Sequence, residues 1–122
     1  MIGYTANIEE LTIQNNYFRQ VLYTSGHTQL VVMALQVGEE IGIETHQDND
    51  QFFRLEVGTL KIVMNGEEST LTPGMAAIVP AGTNHNVINI GPEVAKLYTL
   101  YLPPHHPDGT IHKTKADAMA GK

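Results

Sequence analysis

Short apolar segments recur along this chain, each closed by a turn signal. Leu30-Val31-Val32-Met33-Ala34-Leu35 is apolar and β-branched, with Gly38 close behind it. Phe52 to Val57 reads as a second strand, ended by Gly58. Leu60, Ile62 and Met64 alternate with Lys61 and Asn65, the period-2 pattern of a strand with one buried face. Asn65-Gly66 then predicts a hairpin, because a type I′ turn needs two positive φ angles. Pro73-Gly74 predicts another turn, and Ala76 to Val79 is a short apolar strand ended by Pro80-Ala81-Gly82. Val87 with Ile90, and then Ala95 to Leu102, predict two more strands around Gly91-Pro92. Short strands spaced about eight to twelve residues apart are the mark of a sandwich or barrel. Helix is expected in two places only. One turn over Ile8 to Leu11 is capped by Asn7, a residue type whose side chain accepts from the first-turn amides. A short helix is expected near Lys115 to Met119.

The 122 residues are enough for one domain, which at this size buries about two-thirds of its chain surface. The barrel is expected over residues 1–102. Residues 103–122 begin Pro103-Pro104, show no clean apolar period, and are expected to pack over the barrel or a dimer partner. Hydrophobic residues make up 42% and charged residues 16%, too apolar for a disordered chain. Seven Lys and Arg stand against thirteen Asp and Glu, a net charge of −6. That balance speaks against nucleic acid, which needs clustered cations, and against an anionic membrane surface. No apolar run is long enough to span a bilayer. The first ten residues have neither a basic head nor an apolar stretch, so no secretory signal is expected and the cytoplasm is the expected location. The absence of cysteine rules out disulfides and thiolate chemistry. Any metal must be held by His, Asp, Glu, or amide and backbone oxygens.

Two segments carry candidate chemistry. Glu44 and His46 are two residues apart, so a strand points both to one face. Gln51 heads a strand whose same-face neighbours Phe53, Leu55 and Val57 are apolar, so its amide needs a buried partner. After the Pro80-Ala81-Gly82 turn, His85, Val87 and Asn89 share a face. Asp48 and Asp50 read as solvated loop carboxylates, Asp48 being the nearer rival for a site. Asn89 is expected to brace the barrel wall, and Phe53 to line the pocket. Phe52 is expected to pack on another sheet or subunit, Arg54 to be structural, and His27 to lie on the surface. His105, His106 and His112 are expected to be a solvated or tail-packing cluster rather than a second metal site.

These two segments resemble the two motifs of the cupin superfamily. Gly38, Glu44, His46, Gln51 and Gly58 match the spacing of the first; Gly74, Pro80, Gly82, His85 and Asn89 match the second in spacing and identity. The departures are Glu44 where the family usually has His, and Gln51 where it usually has Glu. The resemblance implies an all-β, single-domain cupin jelly-roll, an antiparallel β-barrel holding one divalent transition metal (Mn, Fe, Ni or Zn). Carried over position by position, it implies metal ligands Glu44, His46, Gln51 and His85. The anionic ligand has moved, but the set keeps one carboxylate. A polar interior without metal is the alternative.

The resemblance further implies a homodimer. It leaves several activities open: a metal-dependent oxygenase acting on a small polar or enolisable molecule, a sugar or sugar-phosphate isomerase or epimerase, or a non-catalytic small-molecule binder. Glu44 is the expected catalytic base in the enzymatic readings. The sequence offers only Arg54, Lys61 and Lys96 as cations for a phosphate, and none is clearly inside the barrel, which ranks the sugar-phosphate reading lower.

Overall fold

The computed structural model describes residues 2–120. Strands dominate it, in the order α1 (Ile8–Gln14), β1 (Arg19–Thr24), β2 (Gln29–Leu35), β3 (Glu44–Thr45), β4 (Asp50–Val57), β5 (Leu60–Met64), β6 (Glu67–Leu71), β7 (Ala76–Val79), β8 (Asn84–Asn89), β9 (Ala95–Leu102), β10 (Ile111–His112) and α2 (Lys115–Ala120). They form a six-stranded sheet, β10-β1-β2-β9-β4-β7, and a four-stranded sheet, β3-β8-β5-β6. Every ladder is antiparallel. The expected jelly-roll is the observed fold. No helix among the described residues is long and apolar enough to cross a membrane.

Period-2 burial builds the core. Val31, Met33 and Leu35 of β2, Phe53 and Leu55 of β4, Leu60 and Ile62 of β5, and Val87 of β8 are each at most 1% exposed. Each such side chain contributes roughly 1.5–3 kcal/mol relative to exposure. The β5–β6 hairpin turns through Asn65 (φ 47) and Gly66 (φ 86), the two positive angles its sequence predicts. On β4 the expected inward face ends early. The register with β9 shifts between Leu55 and Val57, a bulge that takes Val57 out of line with Gln51, Phe53 and Leu55. Gly58 follows at φ 98, and a Cβ there would stand 3.0 Å from Ala95 Cα, so the close approach of β4 and β9 requires glycine.

Both helices lie where the sequence places them. Asn7 Oδ1 accepts the Glu10 amide at 3.0 Å and caps α1, which packs on β9, β4 and β2. Strand β1 had no clear sequence signal, and β6 had only the Asn65-Gly66 turn before it. The segment after β9 is tied down at several points. The buried side chain of Gln29 accepts the amides of His105 and His106, both at 3.0 Å, and donates to His106 O at 2.8 Å. The Asn49 amide donates to Pro103 O and Pro104 O, and β10 pairs with β1.

Candidate metal centre and its cavity

Cross-strand register gathers the polar interior. In the six-stranded sheet, Gln29 pairs with Tyr101 and Tyr101 with Gln51. In the four-stranded sheet, Glu44 pairs with His85 and His85 with Met64. His46 lies between the two rows, its ring 5.5 Å from that of His85 and 5.7 Å from that of Tyr101. Strand β3 stops at Thr45, yet His46 still turns inward, at 8% exposure.

His46 Nε2 stands 3.4 Å from Glu44 Oε2, but the geometry makes no hydrogen bond, and the nitrogen is buried without a partner. Gln51 is 2% exposed. Its Nε2 donates to Thr99 Oγ1 at 3.0 Å, while its Oε1 is also buried and alone. Leaving a buried polar atom unpaired costs about 1–3 kcal/mol. His46 Nε2 and Gln51 Oε1 are each a lone-pair donor that a bound cation would satisfy. His85 Nδ1 lies 3.0 Å from Thr83 O. A proton on Nδ1 makes that bond and leaves the Nε2 lone pair free for a metal.

The structure adds a residue that sequence spacing missed. Ligand atoms of Glu44, His46 and His105 lie within 4.8 Å of one another. Two imidazoles and a carboxylate are a set that suits divalent first-row metals. His105 reaches this group from the tail, its ring stacked on Tyr101 at 5.3 Å and 4.3 Å from His46. That corrects the expected grouping of the tail histidines. His106 and His112 do pack on the barrel, His106 against the Tyr101 hydroxyl at 3.3 Å and His112 against Arg19 at 3.1 Å. His105 stands instead beside the candidate metal ligands. Its signal was a clustered pair of histidines just past a strand, which spacing alone could not place.

Burial, and then His105, His85 and Arg19, push the His46 imidazole down to about 4. Burial also lowers His105, and pushes His106 to about 3. The Tyr101 hydroxyl is pushed up to about 12 by its burial. All of these favour neutral rings and a neutral phenol near pH 7, and a neutral imidazole is the form that binds metal.

A cavity of about 350 Å³ opens onto Glu44, His46 and His105, with Arg19, His106 and Lys115 also in its wall. Gln51 and His85 do not line it. His85 faces a second hollow of about 220 Å³ with Ile43 and Val63. The cations in the main wall are Arg19 and Lys115, not the Arg54, Lys61 or Lys96 expected from the sequence. Arg19 was legible in principle, since it shares the inward face of β1 with Val21. Asp48 is exposed in a bend, outside the metal group. Asp50 is not merely solvated, because its Oδ1 accepts the Ala81 amide at 2.9 Å and fixes the turn before β8. Asn89 braces the wall as expected. Its Nδ2 donates to Leu35 O (3.0 Å), Gln36 O (3.2 Å) and Glu93 O (2.9 Å).

The comparisons agree with this architecture. The uncharacterized protein YrkC of Bacillus subtilis (strain 168) is 46% identical over 98% of this chain and 67% of its own length. An uncharacterized protein of Acanthamoeba polyphaga mimivirus is 45% identical over 88% of this chain and 70% of its own. The crystal structure of BH2720 from Bacillus halodurans superposes with a TM-score of 0.94 at 44% identity, covering 96% of this chain and 93% of that one. The cupin domain family matches residues 31–101, which span both motifs and β2 to β9 up to Tyr101, and the chain therefore belongs to the cupin family.

Proposed function

We propose that this cupin is a metal-dependent enzyme of the oxygenase type, acting on a small polar or enolisable molecule. The observation that carries the reading is the pair of buried, unpartnered ligand atoms, His46 Nε2 and Gln51 Oε1, the former 3.4 Å from Glu44 Oε2. We take Glu44, His46, Gln51 and His85 as the residues that would hold one divalent transition metal, with His105, whose ligand atom lies within 4.8 Å of those of Glu44 and His46, as a further candidate ligand. When bound, the metal supplies a Lewis-acidic, and in the Fe or Mn case redox-active, centre.

The chain's own groups supply the rest. Gln29 and Asn49 anchor the tail that carries His105. Tyr101 stacks on His105 and holds its ring. Glu44 is half-buried at the cavity wall, where its carboxylate can take a proton from a substrate carbon, which assigns it the base. Phe18 and Ile41 supply apolar parts of the cavity wall. The homodimer implied by the family resemblance belongs to the same proposal, as does a cytoplasmic location.

A second reading draws on Arg19 and Lys115. Two cations in the cavity wall would suit an isomerase acting on an anionic sugar derivative. Oxygen uptake by Fe- and Mn-loaded protein, across a panel of diketones and 2-oxo acids, separates the two. The oxygenase reading expects uptake that depends on the organic molecule and is abolished in His46→Ala. Uptake at the His46→Ala level for every compound, with the metal bound, would overturn it and leave the isomerase or binding role.

A further inference from the structure

Arg19 is 7% exposed, and no carboxylate lies against it among the described residues; the ion pairs there are His46–Glu44, Arg54–Glu56 and Lys61–Glu68. Its Nη1 meets His112 Nδ1 at 3.1 Å, the Tyr101 hydroxyl is a second neutral acceptor within its reach, and its Nε is buried with no partner. Its Cζ sits 5.1 Å from the Phe18 ring centroid, which fixes the side chain from one side. A guanidinium cannot shed its proton, so the usual relief for a buried charge, neutralisation, is closed to it. It lines the cavity that holds Glu44, His46 and His105, and it also lines a neighbouring hollow with His105, His106 and His112.

We infer that Arg19 is the anchor for a carboxylate of the substrate, holding a small organic acid in the cavity with its remaining oxygen atoms turned towards Glu44, His46 and His105. Lys115, on α2 at the same wall, adds a second cation. The planar fork of arginine matches the two oxygens of a carboxylate. Arg19 and Lys115 are the basic side chains of that wall besides its histidines, and Glu44 is its one carboxylate, a balance that suits a carboxylate monoanion better than a phosphate dianion. The cavity, at about 350 Å³, is near the small end of ligand sites. The substrate class is then a short 2-oxo or 2-hydroxy acid.

This inference rests on the cavity being the substrate site of the proposed function, but it does not need the metal, and its test is made on metal-free and metal-loaded protein in parallel. Calorimetric titration is run with pyruvate, with the uncharged pyruvamide, and with inorganic phosphate. The Arg19 Nε–H resonance, assigned with Arg19→Lys, is followed by NMR in the same titrations. The expected result is pyruvate binding to metal-free protein with a shift of the Arg19 resonance, at least tenfold weaker binding of pyruvamide, and at least tenfold weaker pyruvate binding in Arg19→Met. Lys115→Met is expected to weaken it less. Should Arg19→Met fail to fold, the wild-type resonance and the pyruvate–pyruvamide ratio decide the matter. Equal binding of pyruvate and pyruvamide, a still Arg19 resonance, or phosphate bound more tightly than pyruvate would overturn the assignment. Pyruvate binding at Arg19 in a protein that takes up no metal would keep it and remove the metal-dependent reading instead.

Discussion

Gln51 and Asn89 are both 2% exposed amides, and they differ in how fully they are satisfied. Asn89 gives its amide protons to three carbonyls and accepts the Gly91 amide at 2.9 Å. Asn89→Ala strands those groups, and we expect a loss of about 2–4 kcal/mol in denaturant unfolding with no change of metal affinity in the protein that remains folded. Gln51 leaves its oxygen alone. Gln51→Leu therefore removes one unpaired atom from the metal-free fold but also takes away the Thr99 hydroxyl's partner, and with the two effects opposed its stability should stay within about 1 kcal/mol of wild type. Its metal affinity should fall by about tenfold or more. Equal metal affinity in Gln51→Leu would show that the amide is structural. At Gly58 the constraint is backbone. Gly58→Ala meets a φ of 98 and Ala95 Cα at 3.0 Å, and is expected to destabilise by more than about 1 kcal/mol.

At the scale of elements, period-2 alternation placed the strands whose inner faces are apolar, such as β2, β4 and β5. It missed β6, Glu67–Leu71, where Leu71 is the sole buried residue. An edge strand with little to bury has little pattern to read. β1 was missed because it opens on Arg19, a charged residue at an inward position. The family spacing brought Glu44, His46, Gln51 and His85 into view together, but not His105, which arrives through long-range contacts that no local period encodes. Those contacts depend on Gln29, fully buried and bonded to His105 and His106. Gln29→Leu is expected to keep the barrel while amide exchange at His105 and His106 quickens by about tenfold or more. Unchanged protection there would mean that β10 and Asn49 hold the tail without it.

For the whole molecule, the buried imidazoles set the response to acid. His46 and His106 fall to about 4 and about 3 from an ordinary 6.5. The unfolded chain therefore binds protons first, and stability that is full above pH 6.5 is lost as pH falls towards those values. Denaturant midpoints of metal-free protein should drop progressively between pH 6.5 and pH 4, and less so in His106→Gln. A midpoint flat across that range would contradict the burial of these rings.

On this reading the polar interior exists to hold a metal. That is tested most directly by the metal content of protein stripped with chelator and reloaded separately with Mn, Fe, Ni and Zn, for wild type and for His46→Ala, with circular dichroism confirming the fold of both. One equivalent per chain of at least one of these metals is expected in wild type, with loss of it in folded His46→Ala. A wild-type protein that takes up none of the four, or a variant that binds as much as wild type, would contradict it.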